Sequence, residues 1–255
     1  MNLFFKNLIG SVFLLSLILG CTTKNTSKVT IATASNMHIA MKEITMAFTK
    51  QTGIDCDVVV SSSGKLTAQI KEGAPYDVFV SADMKYPEAL YKDGHTTEKP
   101  KIYGYGKLVL WSINEHIKPD IISLIDNSIE HIAVANPKTA PYGEAAISVL
   151  NNAYIYDKIS DKLVFGESIS QTNQFIVSGA AQVGFTAKSM VLSPQMKEKG
   201  QWIEIDQTLY TPIAQAAVIV KKDSTSIAAK KFYTFLFSEE SKEILENFGY
   251  LAAIK

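Results

Sequence analysis

From Lys28 onward the chain repeats one pattern: a short apolar run, a turn of small residues, then apolar residues at helical spacing. That alternation constrains the fold more than any other feature. "KVTIATA" reads as a strand, and Ala40, Ile44, Ala47 and Phe48 then recur at helical spacing up to the break at Gly53. "IDCDVVV" reads as a second strand. Leu66 to Ile70 begin a helix stopped by Gly73 and Pro75. "YDVFVSA" reads as a third strand, and "KLVLWS", "HIAVAN", "AQVGFTA" and "AQAAVIVKK" as further ones. Helices are expected near 143–153, 170–178, 224–237 and 238–248, the last capped by Ser238 and ended by Gly249. Strands alternating with helices predict an α/β fold with mainly parallel sheets. Two sheets, with the chain crossing between them near 104–112 and 208–216, would suit a two-lobed protein.

The 255 residues are 47% hydrophobic and 20% charged, enough to bury such a core. Formal net charge is zero, so no basic face for nucleic acid is indicated. All 25 basic residues are lysine; the chain has no arginine. Recognition by a planar guanidinium fork is therefore closed to it.

The first residues follow a different logic. "MNLFFKNLIGSVFLLSLILGC" carries Lys6, an apolar run from Leu8 to Leu19, then Gly20-Cys21. The run is short for a membrane span and reads as the apolar core of a signal peptide. A small residue followed by cysteine resembles a bacterial lipobox. That resemblance implies a signal peptide over 1–20, cleavage before Cys21, lipid on its thiol and a polar tether over 21–27. Cys56 is the other cysteine, in an apolar stretch where a buried, inert thiol is expected.

"SSSGKLTAQI" (61–70) looks at first like half of a P-loop. The P-loop pattern G-x-x-x-x-G-K-[ST] would need glycine where Val59 stands and a hydroxyl where Leu66 stands. The nucleotide reading fails. A strand ending in small hydroxyl residues before a helix still has a use, because helix N-termini present unpaired N–H groups and the positive end of the dipole. The same serines would also serve as plain helix caps. The arrangement recurs in "TASNMHIA", in "NPKTAPYGEAA" and in "FGESISQ". In open α/β sheets ligands bind beyond the carboxyl ends of strands, where such turns gather. Four of them converging on one cleft could hold a small dianion without a basic side chain.

These motifs carry a resemblance to the periplasmic molybdate-binding proteins of ABC transporters. It runs from about Lys28 to the C-terminus through "ATASN", "SSSGKLTAQI", "GAPYDVFVSAD", "YGKLVLWS", "HIAVANPKTAPYGEAA", "SGAAQVGF" and "AQAAVIV". The resemblance implies a type II two-lobed binding protein, with a mainly parallel central sheet in each lobe and a hinge between them. Lobe one would be 28–106 plus 213–255, and lobe two 107–212. Oxyanion contacts would fall to Ser35, Asn36, Ser63, Tyr142 and Ile169. Ser35 and Ser63 would supply hydroxyls and N–H groups. Asn36, Tyr142 and Ile169 would supply N–H groups, the side chains at 142 and 169 acting as spacers. Some family members add a tyrosine hydroxyl where this chain has Ala187. The implied partners are an ABC permease, its cytoplasmic ATPase and, through a lipid on Cys21, a membrane. The implied protein is a monomeric lipoprotein on the periplasmic or extracytoplasmic face of the cell envelope. Molybdate or tungstate would be its ligand, with no cofactor and no catalysis.

Rival readings are weighed by chemistry. Phosphate near neutral pH carries a proton and calls for an acceptor, and none of the four turns places Asp at the anion. Sulfate is an unprotonated tetrahedral dianion like molybdate, so a donors-only site accepts either. For an enzyme, neither a G-x-S-x-G elbow nor an H-E-x-x-H pair is present. His38, His95, His116 and His131 are too irregularly spaced for a metal motif. Tyr103 and Tyr105 alternate on a strand and read as structural, and Trp111 and Trp202 as core or hinge packing.

Overall fold

The structure is a computed structural model that describes residues 28–222 and 226–253. The signal peptide, Cys21 and the tether expected from the sequence lie outside the described residues.

The chain begins as β1 (Lys28–Ala34), α1 (His38–Thr52), β2 (Asp55–Ser61), α2 (Ser63–Lys71), β3 (Val78–Val80), α3 (Lys85–Lys92) and β4 (Lys101–Gly106). After Lys107 it enters β5 (Leu108–Ser112), β6 (Ile132–Ala135), α4 (Pro141–Asn152), α5 (Tyr156–Ile159) and β7 (Leu163–Gly166). It continues through α6 (Ile169–Val177), β8 (Val183–Ala187), α7 (Lys188–Val191) and β9 (Gln201–Glu204). It closes with β10 (Ile213–Ile219), α8 (Ile227–Leu236), α9 (Glu239–Asn247) and β11 (Leu251–Ala252).

Two sheets result, ordered β11-β4-β10-β3-β1-β2 and β7-β6-β8-β5-β9. The α/β class is as expected. The sheets themselves are mixed rather than mainly parallel. β1 pairs in parallel with β2 and β3, and β6 with β7 and β8. β10 runs antiparallel to both β3 and β4, and β5 antiparallel to both β8 and β9. The physical reason is connectivity. Strand-helix-strand units enforce parallel neighbours. β10 is not the product of such a unit; it re-enters the first sheet from the second and meets its neighbours head to tail.

Period-two alternation assigns each strand residue to one of two covered faces. Val29, Ile31, Val78 and Val80 face Ala40, Met41, Ile44 and Phe48 of α1 and Phe232 and Phe235 of α8. Ala32, Phe79 and Val218 face Leu66 and Ile70 of α2 and Leu90 of α3. In the second sheet Leu108, Leu110, Ile132 and Val134 pack on Ala146, Val149 and Leu150 of α4. Val109, Trp111 and Ala133 pack on Ile176 of α6 and Val191 of α7. Trp111 is thus a core residue, and its indole N–H donates to Lys199 O at 3.0 Å. Trp202 is half-buried.

Helix ends follow their residues. α1 stops where Gly53 takes a left-handed φ of +68°. Ser238 accepts from Ser241 N and caps α9. β3 is shorter than "YDVFVSA" suggested. Asp77 anchors its start, accepting from Thr30 N at 2.7 Å and from Lys222 Nζ at 2.7 Å. Ser81 and Ala82 then leave the strand for the cleft. Cys56 is half-buried rather than buried, and burial pushes its thiol up to about 11. Such a thiol is almost wholly protonated at neutral pH, which keeps the expected inertness.

Candidate anion-binding site

The turns singled out from the sequence do converge. Ala34, Ser35, Asn36, Ser62, Ser63 and Ala82 from the first sheet's side meet Ala140, Pro141, Tyr142 and Ile169 from the second. The cavity left between them is small, about 10 Å3, and no charged side chain is among them. All these residues lie at or beyond the carboxyl ends of β1, β2, β3, β6 and β7. All five predicted site residues, Ser35, Asn36, Ser63, Tyr142 and Ile169, line this one pocket. Ala187 ends β8 in the second core and is not part of the lining.

Three of the four walls are helix starts with no side-chain cap. Ser62 takes the N-cap position of α2 with extended backbone but makes no side-chain cap bond. Ala140 does the same for α4, with Pro141 at its first position, where the missing N–H costs nothing. Ser168 differs: its side chain accepts from Gln171 N and caps α6, so Ile169 follows a satisfied cap. Ser35 and Asn36 open a short 3-10 turn, Ser35–Met37, leading into α1.

The side chains divide between the pocket and its support. Ser63 is fully buried, and its Oγ accepts from Ala82 N at 3.0 Å, which leaves its hydroxyl proton available to a ligand in the pocket. Ser35 corrects one expectation. Its hydroxyl donates to Ser61 O at 2.9 Å, so the proton expected for the anion is already placed inside the first lobe's own turn. What Ser35 has left to offer is main-chain N–H. Asn36 turns its amide away from the pocket, donating to Gln215 Oε1 at 2.9 Å and Tyr250 Oη at 3.1 Å. Tyr142 buries its ring and accepts at Oη from Gln215 Nε2 at 3.0 Å. Ile169 points its side chain into the second core. The spacer role expected for the side chains at 142 and 169 fits this geometry.

Ser62 was not singled out from the sequence. Its Oγ is buried and has no hydrogen-bond partner among the described residues. Buried polar atoms are nearly always paired, so an orphan in a pocket wall calls for a ligand atom or water. Three consecutive serines gave no signal for which of them would be left unpaired.

The charged residues stand around the rim and tie the lobes together. Lys65 pairs with Glu167, and Lys85 with Glu144 at 3.3 Å. Gly64 N donates to Thr139 O at 2.9 Å, and Tyr86 Oη to Lys138 O at 3.0 Å. Behind the pocket Ser189 Oγ donates to Asn36 O at 2.8 Å. The two lobes therefore meet over the pocket from several sides. His38, His116 and His131 are exposed and His95 is half-buried, all outside the lining. Among the described residues no group of three or more His, Cys, Asp or Glu could hold a metal ion. No described helix is long and apolar enough to cross a membrane.

Asp83 lines a separate groove with Lys85 and Glu144, which meets the anion pocket at Pro141. It accepts from Ser81 Oγ at 3.0 Å and Tyr86 N at 3.3 Å rather than facing the anion space. Burial pushes its carboxyl up to about 6 from an ordinary 3.8. The folded form therefore binds this proton more tightly than the unfolded chain. Its contribution is greatest below the unfolded value and is lost as pH rises through about 6. Thermal unfolding of Asp83→Asn, which stays neutral, should show a flatter stability profile between pH 4 and pH 7 than the parent. Identical profiles would mean Asp83 titrates normally.

The geometry defines a class: a two-lobed α/β binding protein that closes on a small ligand between helix starts. The chain belongs to the bacterial extracellular solute-binding protein family, whose model matches residues 29–251. It is 39% identical over 225 residues to the molybdate-binding protein ModA of Rhodobacter capsulatus, covering 88% of each chain. To the ModA of Azotobacter vinelandii it is 36% identical over 235 residues, covering 91% of this chain and 93% of that one. The solved structure of the Azotobacter vinelandii periplasmic molybdate-binding protein superposes with a TM-score of 0.83 at 34% identity, covering 89% of this chain and all of that one.

Proposed function

We propose that this chain binds molybdate, and tungstate with it, for import by an ABC transporter. The observation that carries the reading is the pocket itself: helix starts from both lobes, serine hydroxyls from the first, no charged lining and a buried orphan hydroxyl on Ser62. A donors-only site suits an anion that keeps no proton. Each charge-assisted N–H···O⁻ bond contributes roughly 1.5–3 kcal/mol. Six such donors, four N–H groups and two hydroxyls, would exceed the roughly 8 kcal/mol of a micromolar site, leaving a margin for ordering and desolvation. Relatives of the chain named as molybdate-binding support the assignment of ligand.

In this reading Ser35, Asn36, Tyr142 and Ile169 give main-chain N–H groups, Ser63 gives its hydroxyl, and Ser62 joins them. Lobe one is 28–106 plus 213–255 and lobe two is 107–212, hinged where the chain crosses between sheets. The chain performs no catalysis and uses no cofactor. It is a monomeric lipoprotein held at the outer face of a membrane by lipid on Cys21, delivering its ligand to a permease driven by a cytoplasmic ATPase.

Isothermal titration calorimetry of residues 22–255 with molybdate, tungstate, sulfate and phosphate tests this. Sub-micromolar binding of molybdate and tungstate, with weak or absent sulfate binding, is the expected result. Tight sulfate binding would move the protein to sulfate uptake while keeping the site. No heat with any of the four from a folded protein overturns the reading.

A further inference from the structure

Gln215 lies in the middle of β10, in the apolar run "IAQAAVI", and is fully buried. A buried amide in a core strand is costly unless every polar atom is used. Here both ends are used, and each faces a different lobe. Oε1 accepts from Asn36 Nδ2 at 2.9 Å and from Tyr103 Oη at 2.7 Å. Nε2 donates to Tyr142 Oη at 3.0 Å. Asn36 and Tyr142 stand on opposite walls of the anion pocket, yet their side chains end on one amide behind it.

Two local features are fitted to that amide. The register of β10 against β4 shifts between Gln215 and Ala216, a bulge of the kind that re-aims a side chain. Gly106 leaves the room, since a Cβ there would collide with Tyr142 Oη and Gln215 Nε2. A second link runs alongside. Tyr250 Oη donates to Asn36 O at 2.9 Å and lies 3.2 Å from Ser189 Oγ of the second lobe.

We infer that Gln215 is a positioning residue that couples lobe closure to anion binding, by fixing Asn36 and Tyr142 on one buried amide so that their main-chain N–H groups face the anion from opposite lobes. The inference rests on the oxyanion reading above. Gln215 touches no ligand, because it is not in the pocket lining. Only an amide meets the demand: it accepts from the first lobe and donates to the second. Methionine keeps the length and does neither.

The test is molybdate calorimetry together with small-angle scattering on residues 22–255. Gln215→Met and Tyr142→Phe each remove the link to the second lobe, and Tyr103→Phe removes a bond to the same amide from within the first. Gln215→Met and Tyr142→Phe should each weaken molybdate binding by about 10- to 100-fold. Their double variant should be no weaker than the poorer single one, since both break one link. Tyr103→Phe should stay within about threefold of the parent. The ligand-induced fall in radius of gyration should shrink in the first two variants only. Gln215→Met binding within about threefold of the parent overturns the inference and leaves the oxyanion reading standing. So does Tyr103→Phe weakening as much as Gln215→Met, because the effect would then be general packing. Should Gln215→Met fail to fold, Tyr142→Phe carries the same comparison with Tyr103→Phe. A parent protein that binds no molybdate overturns both.

Discussion

Replacing Ser63 by aspartate is expected to abolish oxyanion binding at neutral pH, with a loss of at least about a thousandfold. Ser63 is fully buried at the start of α2, and its Oγ accepts from Ala82 N. An aspartate could keep that acceptor role, so the fold should survive. The new carboxylate would stand against the bound dianion with no cation in the lining to offset it. Lys65, two residues away, is already paired with Glu167 across the cleft. Two unit charges at 4 Å repel by about 4 kcal/mol at an effective dielectric of 20, and a dianion roughly doubles that. The carboxyl can escape by taking up a proton, so part of the affinity should return as pH is lowered. Calorimetry of Ser63→Asp at pH 7 and pH 5 reads both effects. If the variant binds as tightly as the parent, the anion sits elsewhere.

The second large effect is expected at Gly143, where the start of α4 presses on the end of β6. A Cβ there would collide with Ala135 O and lie 2.7 Å from Ala135 C and 3.1 Å from Asn136 C. These are backbone atoms of a strand end and cannot swing aside as a flexible side chain would. Gly143→Ala must push the helix start outward, and Tyr142 N–H moves with it. Overpacking of this kind costs about 1–3 kcal/mol, occasionally more. A drop in melting temperature of roughly 6–12 °C corresponds to about 3 kcal/mol in a chain of this size. Molybdate affinity should fall by roughly a hundredfold even below the melting range, because a main-chain donor displaced by about 1 Å loses most of its bond. A variant with unchanged melting and affinity would show that the contact between α4 and β6 is looser than the structure has it.

How far these features could be read in advance depended on the residue. β1 was legible as "KVTIATA" because, past exposed Lys28, all its residues but half-buried Thr30 are buried. The short edge strands β9 and β11 were missed, having only four and two residues. α3 was missed because Pro87 suggests a break, although proline is tolerated in a first turn, and because the helix buries only Pro87 and Leu90. The turns that hold the five pocket residues were legible as strand-to-helix turns with small or polar neighbours; which residue of each would face the anion came from the family resemblance. Convergence of those turns was not legible, since it depends on how two sheets face each other. The fate of individual protons was equally hidden. Ser35 and Ser63 look alike in sequence, yet one hydroxyl is consumed by Ser61 O and the other is not. Gln215 did leave a trace, a lone amide inside an apolar strand.

The spacer geometry at Tyr142 and Ile169 has a consequence for inheritance. Much of what would grip the anion is peptide backbone, encoded at no single codon. An alanine scan across the lining would leave those N–H groups in place: Ile169→Ala would record its side chain as dispensable for the anion, whereas Tyr142→Ala would also cut the bond to Gln215. Lineages can therefore exchange the residue at 169 and keep the same ligand, as long as the turn keeps its path. A change of ligand would demand a redrawn loop rather than one substitution. Specificity stored this way drifts slowly, because most single mutations do not address it.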